Sequence, residues 1–181
     1  MPFDRVNAIS SAMISLAKNC DLLLVTGGLG PTEDDRTREA FAEAMNKKLD
    51  MNAEAHASMS SWFTKRDAVM PPANDVQAMV PEGSSWISNL HGTAPGLLGK
   101  IGDCIVFCLP GPPNELQPMF QSVRDDIYSS LELGMPLHTS EIHSWGMAES
   151  VAGEKIDDLM QSEDPSVSIL MGAEGITARV T

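Results

Sequence analysis

The sequence predicts a parallel-sheet α/β domain followed by a smaller α+β domain. The short, continuously apolar run "DLLLVT" (Asp21–Thr26) reads as a strand buried on both faces. Segments with helical periodicity precede and follow it, which is the rhythm of a parallel α/β sheet. Beyond residue 134 the pattern changes to short strands around one helix. A chain of 181 residues suits this division, and 43% hydrophobic content supports a packed core. The expected domains are 1–134 and 135–181.

From Asp4 to Asn19, Val6, Ile9, Met13 and Leu16 follow helical spacing. After the Asp21–Thr26 strand comes "TGGLGPTEDDRTREA" and a helix with Phe41, Ala44 and Met45 on one face. A second helix is predicted from Asn52 to Phe63, broken at Pro71-Pro72. Ser85–Ser88 is a short strand, and "NLHGTAPG" (Asn89–Gly96) is a loop. Leu97–Lys100 and Cys104–Leu109 form a hairpin about "IGD". A long helix follows Pro110 with Leu116, Phe120, Val123, Ile127 and Leu131 on its face, ended by Gly134 and Pro136. The smaller domain reads as a strand in "HTSEIHSWG", a helix over Glu149–Gln161 using Val151, Ile156 and Leu159, and strands "SVSILM" and "GITARVT" about Gly175. A doubly wound domain normally opens on a strand. This chain opens on a helix and stops at Thr181 in strand pattern, so a piece of a larger protein, lacking its first strands, is expected.

The net charge of −13, without a Lys/Arg cluster, argues against nucleic-acid and anionic-membrane surfaces. Three sparse cysteines give no disulfide framework; Cys104 and Cys108 share one strand face as small buried hydrophobes. No apolar run approaches a membrane span and no signal peptide opens the chain, so a soluble, reducing, cytoplasmic setting is expected. "SLAK" (Ser15–Lys18) matches a nucleophile pattern but lies in helical periodicity. Of the four histidines, only His91 adjoins a loop of interest.

Three Gly/Pro loops stand out: "TGGLGPTEDD", "GTAPG" and "LPGPP". The first and third follow apolar strands, and loops leaving the carboxyl ends of strands in an open α/β sheet share a ligand-binding edge. "GTAPG" precedes a strand, so pattern alone does not assign it to that edge. Glycine loops with a following helix N-terminus can hold phosphate through N–H groups; the alternative is three ordinary tight turns. Glu33, Asp34 and Asp35 stabilise a helix dipole on one reading, with Thr37 as N-cap and Glu39 in the first turn. On the other, Asp34 or Asp35 binds a hard divalent cation, which lets carboxylates and phosphate share a site.

"DLLLVTGGLGPTEDDRTREA", "VPEG", "NLHGTAPG" and "LPGPPNEL", in that order, resemble the competence/damage-inducible protein A (CinA) family over most of residues 4–133. The wider group is the molybdopterin-binding domain of molybdenum-cofactor biosynthesis proteins. The resemblance implies a three-layer αβα domain and a divalent-metal-dependent pyrophosphatase acting on ADP-ribose. It implies Asp35 for metal binding and catalysis, joined by Asp34, which matches the CinA pattern where the molybdopterin group has Arg. Thr26, Gly27, Gly28, Gly30, Thr32 and Thr37 line the phosphate site by the same carry-over. Gly92, Thr93, Pro95 and Gly96 form a second wall, and Gly111, Pro112, Pro113 and Glu115 a third. The implied cofactor is a divalent metal ion, Mg²⁺ or a transition metal that plays the same part, the ligand a nucleotide or pterin, and the assembly a homo-oligomer. A non-catalytic binding module and an inactive fragment are the competing expectations. The family's opening "GxELL" segment and its C-terminal deamidase domain are not in this sequence.

Overall fold

In the computed structural model, which describes residues 6–129, 131, 137–172 and 175–181, the apolar run becomes strand β1 (Leu22–Thr26) after helix α1 (Val6–Ala17). Then come α2 (Thr37–Ala44), β2 (Leu49–Met51), α3 (Ala53–Thr64), a 3-10 helix (Pro72–Ala78), β3 (Met79–Pro81) and β4 (Ser85–Ile87). The hairpin β5 (Gly96–Ile101) and β6 (Cys104–Leu109) leads to α4 (Pro113–Ser129). Chain proximity divides the molecule into two compact units, Met1–Glu132 and Leu133–Thr181.

The main sheet of the first unit has the order β1-β6-β5-β4. β1 runs parallel to β6, from Leu22 beside Ile105 to Thr26 beside Leu109, while β6, β5 and β4 pair antiparallel. Alternate residues of a strand face opposite sides, and β6 uses both. Cys104, Val106 and Cys108, with Leu97 and Ile101 of β5, pack with Met13 of α1 and Ala40 and Phe41 of α2. Phe107 and Leu109, with Ile87 of β4, pack against Met119, Val123 and Ile127 of α4. The result is a three-layer αβα unit, with helices on both faces of the central strand.

Several expectations are corrected. β1 is not buried on both faces: it lies at the sheet edge, and Leu24 is 42% exposed because α4 packs over β6 rather than β1. Leu16 is exposed, and Ile14 and Ala17 turn to the core in its place. Thr37 is not an N-cap: Arg36 occupies that position without a side-chain cap, and Thr37 begins the helix proper. Asn52 caps α3, its side chain accepting from the Ala55 amide. The ribbon of β2 with β3 was not foreseen; three-residue strands are too short to show alternation. Pro71-Pro72 begins a 3-10 helix, where a fixed proline φ suits the first turn.

In the second unit, β7 (Ser140–Ser144), α5 (Glu149–Met160), β8 (Val167–Gly172) and β9 (Gly175–Val180) form an antiparallel sheet of order β7-β9-β8. Ile142, Ile169, Ile176 and Ala178 face Ala152 and Ile156 of α5 across a cavity of about 190 Å³. Val151 and Leu159, among the helix's apolar residues, are exposed, and the helix departs from helical dihedrals at Ile156 (φ −120°). The expected stop signals Gly134 and Pro136 lie outside the described residues.

Candidate functional site

The first glycine loop leaves β1 and is tied down at once. The Gly27 amide donates to the Leu109 carbonyl at 2.9 Å, extending the parallel ladder by one bond. Gly27 and Gly28 have φ of 86° and 68°, values that favour glycine. Thr37 closes the loop onto α2: its hydroxyl donates to the Gly27 carbonyl at 2.8 Å and its amide to the Gly28 carbonyl at 3.0 Å. Leu29 is buried, and its carbonyl accepts from Arg38 Nη2 at 2.8 Å and Gln77 Nε2 at 3.3 Å.

The acidic turn is built around Thr32. Its Oγ1 lies 2.5 Å from Asp34 Oδ1 and 2.5 Å from Asp35 Oδ2. Its amide donates to Asp35 Oδ2 at 3.0 Å, and its carbonyl accepts from the Asp35 amide at 3.1 Å. One hydroxyl carries one proton, so it satisfies one carboxylate at a time. Three hard oxygens therefore converge with a deficit of positive charge, a donor set that suits Mg²⁺-like cations. Among the described residues no three His, Cys, Asp or Glu side chains gather at one point, so such a cation would keep water or substrate oxygens. The Thr32 hydroxyl, then a backbone hydrogen bond and the Arg36 guanidinium, hold the Asp34 carboxyl below the usual aspartate value. Gly30 makes room for Asp35: a Cβ there would lie 2.3 Å from Asp35 Oδ2.

The third loop meets the first, and the second meets the third. Gly111 touches Gly27 so closely that a Cβ on Gly111 would lie 3.3 Å from the Gly27 Cα. Asn89 joins the second loop to the third: its Nδ2 donates to the Ala94 carbonyl at 2.9 Å and to Glu115 Oε2 at 2.7 Å. Its Oδ1 accepts from the His91 amide at 3.0 Å, an Asx turn. Gly92 sits against the Glu115 carboxylate with no room for a Cβ. "GTAPG", unassigned by pattern, thus reaches the same edge through Glu115.

Not every predicted residue faces a ligand. The Gly27 amide is spent on the Leu109 carbonyl of β6 and the Thr37 hydroxyl on the Gly27 carbonyl, so neither is a free donor. The amides of Gly28, Gly30 and Gly111 find no acceptor among the described residues. Gly96 begins β5 and packs on Met119 and Ile87, and Pro95 is buried beside it; both are packing positions. Thr26, Gly111, Pro112 and Pro113 are exposed at the edge, and Thr93 is half-buried in the second loop. His91 is exposed.

Sequence reasoning missed Arg38, Gln77 and Asn89. Arg38 is fully buried, and its Nε and Nη1 find no partner among the described residues. Burial lowers its pKa below the usual guanidinium value, opposed by the nearby charges of Glu39 and Asp35. Its position three before Phe41 and seven before Met45, on the apolar row of α2, was the available signal.

Comparison with known proteins agrees with this geometry. Residues 3–128 match the family model described as "Probable molybdopterin binding domain". A "CinA-like protein" of Desulfosudis oleivorans is 39% identical over 155 residues, covering 84% of this chain and 38% of the relative. A "CinA-like protein" of Kosmotoga olearia is 32% identical over 179 residues, covering 98% and 43%. The chain therefore spans about two fifths of the length of these curated relatives. The crystal structure of the protein CinA from Thermoplasma acidophilum, a protein of unknown function, superposes with a TM-score of 0.63 at 32% identity, covering 68% of this chain and 73% of that one. Ordered loops, three-layer fold and relatives agree: the chain belongs to the CinA family and carries its molybdopterin-binding-type domain over residues 3–128.

Proposed function

We propose that the three-loop edge hydrolyses the pyrophosphate bond of ADP-ribose or a related nucleotide, with a divalent cation held by Asp34 and Asp35. The observation that supports this most is the pairing, in one loop, of unspent amides at Gly28 and Gly30 with two carboxylates sharing the Thr32 hydroxyl. Carboxylates beside a phosphate cradle repel the ligand unless positive charge intervenes. A divalent cation held by Asp34 and Asp35 would supply that charge and would stabilise the negative charge of the leaving phosphate.

The chain's own groups do the rest. The Gly28, Gly30 and Gly111 amides bind phosphate oxygens and strengthen that contact as charge develops. Thr32 orients both carboxylates, and Gly30 leaves the space that Asp35 fills. Asn89 aims Glu115, at the start of α4, to accept a hydroxyl hydrogen from the ligand's sugar. Water adds across the P–O–P bridge, giving AMP and ribose 5-phosphate.

A second reading, a pterin-binding module without turnover, is favoured by the description of the matching family model. The Asp at position 34 opposes it mildly, since an anionic ligand gains nothing from a carboxylate there. Incubation with ADP-ribose and Mg²⁺, followed by separation of products, decides between them. AMP and ribose 5-phosphate support hydrolysis. Intact ADP-ribose, with calorimetric binding of a pterin, supports the second reading.

A further inference from the structure

At the end of the main sheet opposite the three loops, two thiols meet. Cys20 ends the turn between α1 and β1, and Cys104 is the first residue of β6. Their Sγ atoms lie 3.7 Å apart although the residues are separated by 84 positions in sequence. The backbone brings them within bridging range. Ile105 is the register partner of Leu22 and its amide donates to the Asp21 carbonyl at 2.9 Å, so Cys20 is one step removed from standing directly beside Cys104. Paired strands lie about 4.8 Å apart and advance about 3.3 Å per residue, which gives a Cα separation near 6 Å, inside the disulfide range. Both cysteines line a groove of about 570 Å³ together with Lys18, Gly102 and Asp103.

We propose that Cys20 and Cys104 are an oxidisable dithiol, converted by a peroxide into an intramolecular disulfide that staples the α1–β1 turn to β6. Cys20 is half-exposed and Cys104 is buried, so the peroxide oxygen meets Cys20 first. The Cys20 thiolate attacks one peroxide oxygen, giving a sulfenic acid and releasing hydroxide, which takes up the thiol proton as water. The Cys104 sulfur then displaces the second hydroxide, which leaves as water with the other proton. Two thiols and one hydrogen peroxide become one disulfide and two waters. Burial, and after it Cys20, push the Cys104 thiol up to about 11, which suits the resolving role rather than the attacking one. Cys108 is an internal control: it lies on the same strand face, is buried, and burial pushes its thiol up to about 12. The bond sits about 17 Å from the loop end of β6, five residues along the strand, so the stapled protein keeps the three-loop edge.

The test uses the full reduced chain, freed of reductant and treated with hydrogen peroxide. It is then alkylated with N-ethylmaleimide, digested with trypsin without reduction, and read by mass spectrometry. The expected product is peptide 19–36 linked to peptide 101–124, with fragmentation placing the alkyl group on Cys108. Closing so long a loop raises Tm by about 5–10 °C, reversed by dithiothreitol. Cys20→Ser abolishes both the link and the rise while melting like the reduced wild type. A Cys20–Cys108 link, an intermolecular link, an unreacted Cys20, or a Cys20 carried to sulfinic acid without any link overturns the proposal. So does a peroxide-induced rise that persists in Cys20→Ser.

Discussion

Substituting Gly28 by alanine tests whether the first loop is closed on α2 as described. Gly28 has φ of 68°, and a Cβ would lie 2.3 Å from Thr37 Oγ1, 3.2 Å from Thr37 Cβ and 3.3 Å from the Thr37 amide. An L side chain in the left-handed region costs about 1–2 kcal/mol. The Thr37 hydroxyl cannot retreat freely, because Thr37 is buried and donates to the Gly27 carbonyl at 2.8 Å. Breaking that bond costs about 1 kcal/mol more. The sum, about 2–3 kcal/mol, lowers Tm by roughly 5–10 °C in a chain of this size. Thermal unfolding followed by far-UV circular dichroism measures it. A double-mutant cycle with Thr37→Ala sharpens the test, since removing Oγ1 relieves the shortest clash. The double variant should lose about 1 kcal/mol less than the sum of the singles. A Gly28→Ala protein melting within about 1 °C of wild type, or strictly additive losses, would refute the contact between loop and helix.

Other consequences follow from the same geometry. Gly30→Ala drives a Cβ against Asp35 Oδ2 at a half-buried position. It should cost about 1 kcal/mol or less in stability but lower the proposed hydrolysis about 100-fold, seen by measuring Tm and kcat/KM together. Asn89→Ala removes the donor to the Ala94 carbonyl and Glu115 and the acceptor for the His91 amide. Urea unfolding should show a loss of about 2–3 kcal/mol. The Asp34 carboxyl, held down first by Thr32, should titrate below 3.8 by NMR, and Thr32→Val should raise it. Its sign is that of a depressed acid: the contribution is full above 3.8 and is lost as pH falls through the lowered value.

What the sequence made legible depended on how local the signal was. The Cys104–Leu109 strand could be read because each of its alternating residues meets a core, on one face or the other. The Gly/Pro loops could be read because their backbone needs are written in residue type. The run Leu22–Val25 reported hydrophobicity but not what covers it, so the exposed edge at Leu24 was invisible. The β2–β3 ribbon is three residues long and has no period to detect. Arg38 lies on the apolar row of α2, but its partner, the Leu29 carbonyl nine residues earlier, is set by the loop's folding and not by residue type. The spent amide of Gly27 could not be foreseen either, because it depends on the Leu109 carbonyl of another strand. Long-range partners decide which loop donors remain for a ligand, and residue type alone does not reveal them.

The central claim is that Asp35 brings a cation to a phosphate loop. The direct measurement is AMP release from ADP-ribose across a Mg²⁺ titration, in wild type and in Asp35→Asn, with both proteins shown to melt alike. AMP release should rise with Mg²⁺ in wild type and fall by at least about 100-fold in Asp35→Asn. Equal release from the two proteins, or release unaffected by Mg²⁺ and by a chelator, would contradict it.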